Sequence, residues 1–216
     1  MEHRDHTDLR RPRRIGGRRA AVATAILAAG AVLAGCGGGG STSSSTSSTP
    51  AATPVALGST QGEATGRTVD GIKCERQEQV LFHIHAHLAV FANGRPAIIP
   101  LGIGIAPPRT VDQSSGAPFV LGGSCFYWLH SHTADGIIHI ESPMTRTFTL
   151  GNYFDLWNQP LSATQVSSAT GPVTAYVNGK AVNGDPRAIP LAAHAVIQLD
   201  VGTKVAPAPY AFPDGL

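Results

Sequence analysis

The segment Val80–Val90 constrains the fold more than any other part of the chain, because an apolar residue recurs at every second position. The apolar positions are Val80, Phe82, Ile84, Ala86, Leu88 and Val90, and the residues between them include His83, His85 and His87. Successive side chains of a β-strand point to opposite faces. The pattern therefore predicts a strand with one face in the core and the other lined with imidazoles.

The rest of the chain also favours strands, because no window shows a long apolar period of 3.6 residues. The dipeptide Asn93-Gly94 is typical of a tight hairpin turn and predicts a return strand over Pro96–Ile99. In the predicted strand Ile137–Glu141, two isoleucines share one face while His139 and Glu141 share the other. Further strands are predicted over Thr145–Leu150, Val173–Asn178 and Ala193–Val201.

These elements predict an all-β class with at most one short helix. The expected helix covers Tyr153–Trp157, with Asn152 as its cap. The architecture that we expect is a single sandwich or small barrel, and a cupredoxin-like sandwich is one form that it can take.

The N-terminus has the composition of an export signal. Seven arginines lie within the first nineteen residues, and the uncharged apolar segment Ala20–Gly35 follows them. The sequence Leu33-Ala34-Gly35-Cys36 resembles the lipobox of bacterial lipoproteins. This resemblance implies that residues 1–35 are removed, and that a lipid on Cys36 anchors the exported chain to the outer face of the cytoplasmic membrane. An uncleaved N-terminal anchor is the alternative, and the paired arginines leave the twin-arginine route open.

The residues after Cys36 are predicted to form a tether. The stretch 37–50 contains only glycine, serine, threonine and one proline, and such a composition behaves as a flexible coil. We assign residues 36–66 to a disordered tether and residues 67–216 to one β domain. Without the arginine-rich leader, the chain keeps nine basic and eleven acidic residues. Nothing in this balance indicates nucleic-acid binding.

Two cysteines remain once Cys36 is assigned to the lipid. An exported chain lies in a compartment that permits disulfides, so Cys74 and Cys125 are predicted to form a bridge. The alternative is that Cys125 binds a metal ion.

Six histidines are concentrated in two short segments, and this clustering indicates a metal site. They are His83, His85 and His87 in the first segment, and His130, His132 and His139 in the second. Imidazoles two residues apart on a strand can converge on one ion, whereas three such residues span too far to share it. We therefore expect two of the first three to join ligands of the second segment, while the third serves a second ion or supports a ligand.

Glu141 would add a carboxylate to this site. Imidazole with carboxylate suits Zn, Cu(II), Ni or Fe, and we expect a divalent transition metal, Cu or Zn. His194 is an isolated candidate at the start of a later strand. Asp135 is predicted to be a turn residue before Gly136 that could also orient an imidazole.

Two resemblances attach to these residues. HIHAHLAVFANGRPAIIP, CFYWLHSHTADGIIHIESP and FTLGNYFDLW, between about Gly71 and Trp157, resemble a poorly characterised family of exported, often membrane-anchored prokaryotic proteins. That family implies no activity. Tyr127–His132 is more weakly similar to the Trp-Tyr-His-Ser-His string of multicopper oxidases. Those enzymes need several cupredoxin domains, whereas this chain has a single domain.

The function that we predict is a membrane-tethered, extracytoplasmic lipoprotein that holds, delivers or senses a metal. A metalloenzyme is the main alternative, with Glu141 or Asp135 as general acid or base. A blue-copper carrier using Cys125 and His130 is another, although Met144 lies too far along the chain for the usual axial position. The last alternative is a structural or interaction domain whose histidines sense pH. The sequence identifies no protein partner.

Overall fold

The computed structural model describes residues 53–216. The predicted signal peptide, Cys36 and most of the predicted tether lie outside the described residues. The described part consists of sixteen strands, one α-helix and one 3-10 helix. They are β1 (Val55–Ala56), β2 (Cys74–Glu75), β3 (Phe82–Ala92), β4 (Arg95–Ile98), β5 (Ile105–Ala106), β6 (Thr110–Asp112), β7 (Phe119–Gly122), β8 (Cys125–Tyr127), β9 (Leu129–His130), β10 (Ile137–Ser142), α1 (Leu150–Trp157), β11 (Leu161–Ser162), β12 (Gln165–Val166), β13 (Ala169–Thr170), β14 (Val173–Val177), β15 (Lys180–Val182), the 3-10 helix (Pro186–Ala188) and β16 (Ala195–Val201).

Eight of the strands form the main sheet, in the order β1-β4-β3-β16-β14-β15, with β10 paired to β3 and β9 paired to β10. The smaller sheets are β11-β12-β13, β2-β8-β5 and β6-β7. None of these sheets closes into a barrel. The all-β class with one short α-helix is confirmed, and the small barrel is not the architecture. Within residues 53–216, no helix is long and apolar enough to span a bilayer.

The predicted hairpin is present. Ala92 of β3 pairs with Arg95 of β4, and the two residues between them, Asn93 and Gly94, have φ angles of 51° and 78°. Positive φ at both central positions is what a two-residue hairpin turn of type I′ requires. The strand β3 begins at Phe82, and Val80 is 65 % exposed. The predicted strand therefore started two residues too early.

The strand β3 lies in the interior of the main sheet, because it is paired on both edges. Residues 82–87 pair with β10 on one edge, and residues 86–92 pair with β16 on the other. In the β10 register, Ile140 lies opposite Ile84, while His139 lies opposite His85. One face of this pair therefore supplies the core and the other collects polar side chains, as the alternation predicted.

The helix α1 begins earlier than predicted. Thr149 is its cap, with the side chain accepting from the Asn152 backbone N–H, while the Asn152 side chain accepts from the Thr149 N–H. Asn152 therefore completes a capping box from inside the helix and is not the cap itself. The predicted strand Thr145–Leu150 is wrong, because Leu150 already belongs to the helix and Thr149 makes only an isolated bridge to Pro190.

The folded domain also begins earlier than residue 67. The strand β1 pairs in parallel with β4, and Leu57 and Ala64 are buried in the hydrophobic core. Glu63 forms an ion pair with Arg109. Residues 55–66 therefore belong to the domain and not to the predicted tether, because scattered apolar residues within a polar stretch are enough to add an edge strand and a core contact.

The helix packs its aromatic residues into the core and makes a hydrogen bond to the residue that follows β9. Tyr153 and Trp157 are almost completely buried, and the Trp157 indole N–H donates to the Ser59 carbonyl. The Tyr153 hydroxyl donates to Ser131 Oγ at 3.1 Å. Ser131 lies between His130 and His132, so this contact fixes the backbone that carries both imidazoles.

Candidate metal centre

The first group of converging side chains comes from β3 and β10. His83 Nε2 lies 3.1 Å from His85 Nε2, and His85 Nε2 lies 3.1 Å from His139 Nδ1. Glu141 Oε1 lies 3.1 Å from His83 Nε2 and 3.4 Å from His139 Nδ1. All four donor atoms lie within 4.8 Å of one another, so the group could hold a metal ion.

These distances match the separation of ligands around a small divalent ion. Two ligand atoms at the usual Zn–N distance lie about 3.3 Å from each other in a tetrahedral site. In a square-planar site, neighbouring ligand atoms lie about 2.9 Å apart. The four contacts that connect His83, His85, His139 and Glu141 span 3.1–3.4 Å. The donor set and its spacing therefore suit both Zn and Cu(II).

Hydrogen bonds alone do not account for these four contacts. A ring nitrogen presents either one proton or one lone pair at a time. Three nitrogens and one carboxylate oxygen cannot place a well-aligned proton in each of four contacts that share the same atoms. A cation at the centre would satisfy all four donors at once.

The second group comes from the end of β9 and the residues that follow it. His130 Nδ1 lies 2.9 Å from the Tyr127 carbonyl, and His132 Nδ1 lies 2.6 Å from the Val120 carbonyl. These bonds fix the tautomer, because a carbonyl only accepts, so each Nε2 presents a lone pair. The donor atoms of His130, His132 and His139 lie within 4.8 Å of one another.

Glu78 is a candidate ligand that the sequence analysis missed. Its Oε1 lies 3.3 Å from His132 Nε2 and 3.7 Å from His130 Nε2. Glu78, His130 and Glu141 form a third group with the spacing of metal ligands. Glu78 is in the segment between β2 and β3, where no periodic pattern marks it. The one available signal was its position four residues after Cys74, whose disulfide ties this segment to β8.

The surroundings of these side chains shift their pKa values toward the protonation states that bind a cation. Burial lowers the pKa of His130 to about 3 and that of His85 to about 4, with neighbouring imidazoles adding to both shifts. Burial also lowers the pKa of His132. Burial alone would raise the pKa of Glu141, but a hydrogen bond from His139 and the nearby imidazoles lower it. At neutral pH the imidazoles of His85, His130 and His132 are therefore neutral, and Glu141 is an anion.

Two polar atoms of the centre are buried without a hydrogen-bond partner among the described residues. They are His130 Nε2 and Glu141 Oε2. An unpaired buried acceptor costs on the order of 1–3 kcal/mol. Both atoms belong to groups with metal-ligand spacing, so the missing partner is accounted for if a cation binds there.

The remaining candidates lie apart from these groups. His87 Nε2 bonds to the Asp135 carbonyl at 3.1 Å, and its ring stacks on Tyr210, so His87 is the spare histidine of the first segment. The Asp135 carboxylate accepts from the Ile137 N–H, as in a turn, and only its carbonyl orients an imidazole. His194 stacks on Phe212 and contacts the Leu216 carbonyl, and belongs to none of the groups.

Cys74 and Cys125 form a disulfide, as predicted. Cys125 therefore offers no thiolate to a metal, and the hypotheses that it is a ligand or the centre of a blue-copper site are wrong. The donor set that remains contains only imidazole and carboxylate, which disfavours Cu(I).

No known protein family, curated protein or solved structure matches the chain significantly. The similarity of the histidine motifs to exported prokaryotic proteins, and more weakly to multicopper oxidases, therefore stays a prediction. What the structure establishes is a cluster of buried histidine and glutamate side chains that could bind a metal ion.

Proposed function

We propose that this chain is an exported lipoprotein, anchored to the outer face of the membrane through Cys36, whose β domain binds Zn or Cu(II) in order to hold, deliver or sense it. One observation carries the proposal: the donor atoms of His83, His85, His139 and Glu141 converge within 4.8 Å. The oriented Nε2 atoms of the second group add to it.

The disulfide supports the cellular location. Bridges of this kind persist in oxidising compartments and are rare in the cytosol. Together with the leader and the Leu-Ala-Gly-Cys sequence, the Cys74–Cys125 bridge favours an exported chain.

The metal is tested by elemental analysis of the chain after export and purification, alongside His85→Gln/His139→Gln. We expect stoichiometric Zn or Cu in the wild type and a loss of at least one ion per chain in the variant. The matched control is His87→Gln, which changes a histidine on the same strand face outside the cluster and should keep the metal. A wild-type chain that binds neither ion, even after reconstitution, would overturn the proposal.

The lipid is tested separately. Cells fed a labelled fatty acid should label the wild-type chain, and the chain should sediment with membranes until detergent releases it. The Cys36→Ser variant should lose both properties. If it stays labelled and membrane-bound, the lipid is not on Cys36.

A metalloenzyme is the second candidate, because the centre reaches solvent. The side chains of His83 and Glu78 are 41 % and 37 % exposed, whereas His130 is fully buried. These exposed side chains give a small molecule access to the centre from one side, and a catalytic metal would also need a coordination position beyond those that its protein ligands fill. Assays of ester and phosphoester hydrolysis and of phenol oxidation, with metal-loaded wild type and His85→Gln/His139→Gln, test this candidate. Turnover must require both the metal and the intact cluster.

A further inference from the structure

The donors around the centre outnumber what one ion can use. Seven side chains belong to the overlapping groups: Glu78, His83, His85, His130, His132, His139 and Glu141. Zinc takes four ligands in most sites, and five at most in catalytic ones. Five ring nitrogens and two carboxylates therefore exceed the needs of a single ion.

We propose that the centre binds two metal ions bridged by the Glu141 carboxylate, an inference that rests on the proposed metal-binding function. The first ion takes His83 Nε2, His85 Nε2, His139 Nδ1 and Glu141 Oε1. The second takes His130 Nε2, His132 Nε2, Glu78 Oε1 and Glu141 Oε2. Each ion then has four protein ligands.

Glu141 has the geometry of a bridge. Its Oε1 contacts His83 and His139 of the first position, while its Oε2 is buried and has no partner among residues 53–216. The same carboxylate also belongs to the group of Glu78 and His130. Glu141 and His130 thus each have one buried atom without a hydrogen-bond partner among the described residues, and both residues belong to the group with Glu78. Carboxylate-bridged pairs of ions lie about 3.5–4 Å apart.

His139 is adjacent to both positions but is assigned to the first. Its Nδ1 lies 3.1 Å from His85 Nε2 and 3.4 Å from Glu141 Oε1. Its ring stacks on His130 with the two planes 7° apart, and ring centroids 5.4 Å apart. This stacking and the direct pairing of His139 with His85 and His130 across three strands place the two positions side by side on one sheet face.

Metal stoichiometry tests the proposal. The purified chain, stripped with chelator and reloaded with Zn, should bind two ions. His83→Ala/His85→Ala and His130→Ala/His132→Ala should each keep one, and His194→Asn, which changes a histidine outside the cluster, should keep two. One ion in the wild type overturns the two-ion centre but leaves the metal-binding function standing. No ion in the wild type overturns both.

Because truncating the buried His130 could prevent folding, a surface variant gives an independent test. Glu78→Gln should lower the affinity for the second ion on the order of 10–100-fold and leave the affinity for the first ion unchanged. Glu75→Gln, the same change on the neighbouring strand β2, should alter neither affinity. Unchanged affinity for both ions in Glu78→Gln overturns the assignment of Glu78. Electron paramagnetic resonance of the Cu(II)-loaded chain should show spin–spin interaction at two ions per chain, and two isolated Cu(II) spectra overturn the bridge.

Discussion

Glu141 and His83 lie opposite each other in the β3–β10 register, and Glu141 Oε1 is 3.1 Å from His83 Nε2. The pair is asymmetric, because the Glu141 side chain is 4 % exposed while that of His83 is 41 % exposed. A buried carboxylate is thus in contact with a solvent-accessible imidazole. The ionised carboxylate costs folding energy unless a cation or hydrogen bonds compensate both of its oxygens.

Glu141→Gln should separate metal binding from folding. In the metal-free chain a hydrogen bond from His139 and the nearby imidazoles favour the ionised carboxylate and lower its pKa, so we expect the neutral amide to lower the melting temperature slightly. Ligand at a hundred times its dissociation constant stabilises a fold by about 2.7 kcal/mol, and we expect Glu141→Gln to lose most of this stabilisation. Thermal unfolding with and without Zn measures both effects. An equal Zn-induced shift in wild type and variant would show that Glu141 is not a ligand.

The sequence predicted the strands of the site because their pattern is local. The alternation in β3 and β10 is independent of tertiary context, and it placed His139 and Glu141 on the face opposite Ile138 and Ile140, as the β10 register shows. The Asn93-Gly94 turn and the disulfide were also predictable from short-range chemistry and from counting cysteines.

The spare histidine was not predictable, because it depends on register. The β10 strand brings His139 opposite His85 and Glu141 opposite His83, which leaves His87 opposite Ile137. A shift of two residues would keep every side chain on its face and change the partners. Glu78 was missed because a non-periodic segment carries it, and its place near His132 is set by tertiary contacts.

The stability of the metal-free chain should fall in mild acid. The folded-state pKa values of His130 and His85, about 3 and about 4, lie below the value of about 6.5 in an unfolded chain. Their contribution is therefore fully present above about pH 6.5 and is lost as the pH falls toward the folded values. Each group contributes up to about 1.4 kcal/mol per pH unit in that window.

Urea unfolding of the chelator-treated chain at pH 7, 6, 5 and 4 measures this loss. His130→Gln should show a shallower decline than the wild type, whereas His194→Asn should follow the wild type. A free energy of unfolding that stays constant from pH 7 to pH 4 would contradict the prediction.

Removing the disulfide should lower stability and weaken the site around Glu78. The bridge joins residues 51 positions apart. Closing a loop of that length lowers the conformational entropy of the unfolded chain and so raises its free energy by about 4 kcal/mol. Cys74→Ala/Cys125→Ala should therefore unfold at lower urea concentration, and it should lose affinity at His130 and His132 more than at His83 and His85. If the free energy of unfolding falls by less than about 1 kcal/mol in this variant, the disulfide contributes little to the stability of the fold.

Gly104→Ala should disturb the centre without changing any candidate ligand. Gly104 has a φ of 74°, and a Cβ there would lie 2.1 Å from the Leu129 carbonyl oxygen and 3.0 Å from His130 Cα. The obstacle is backbone, so β9 must move and carry His130 with it. We expect a loss of about 1–3 kcal/mol of stability together with weaker binding at His130 and His132.

Gly116→Ala is the matched control for this change. Gly116 has a similar φ of 85°, but a Cβ there meets no atom within 4 Å. The control thus carries the backbone strain of an alanine at positive φ without the collision. Urea unfolding and metal titration of the two variants separate these causes, since only Gly104→Ala should lose metal affinity. Equal metal affinity in both variants would show that β9 accommodates the extra methyl group without moving His130.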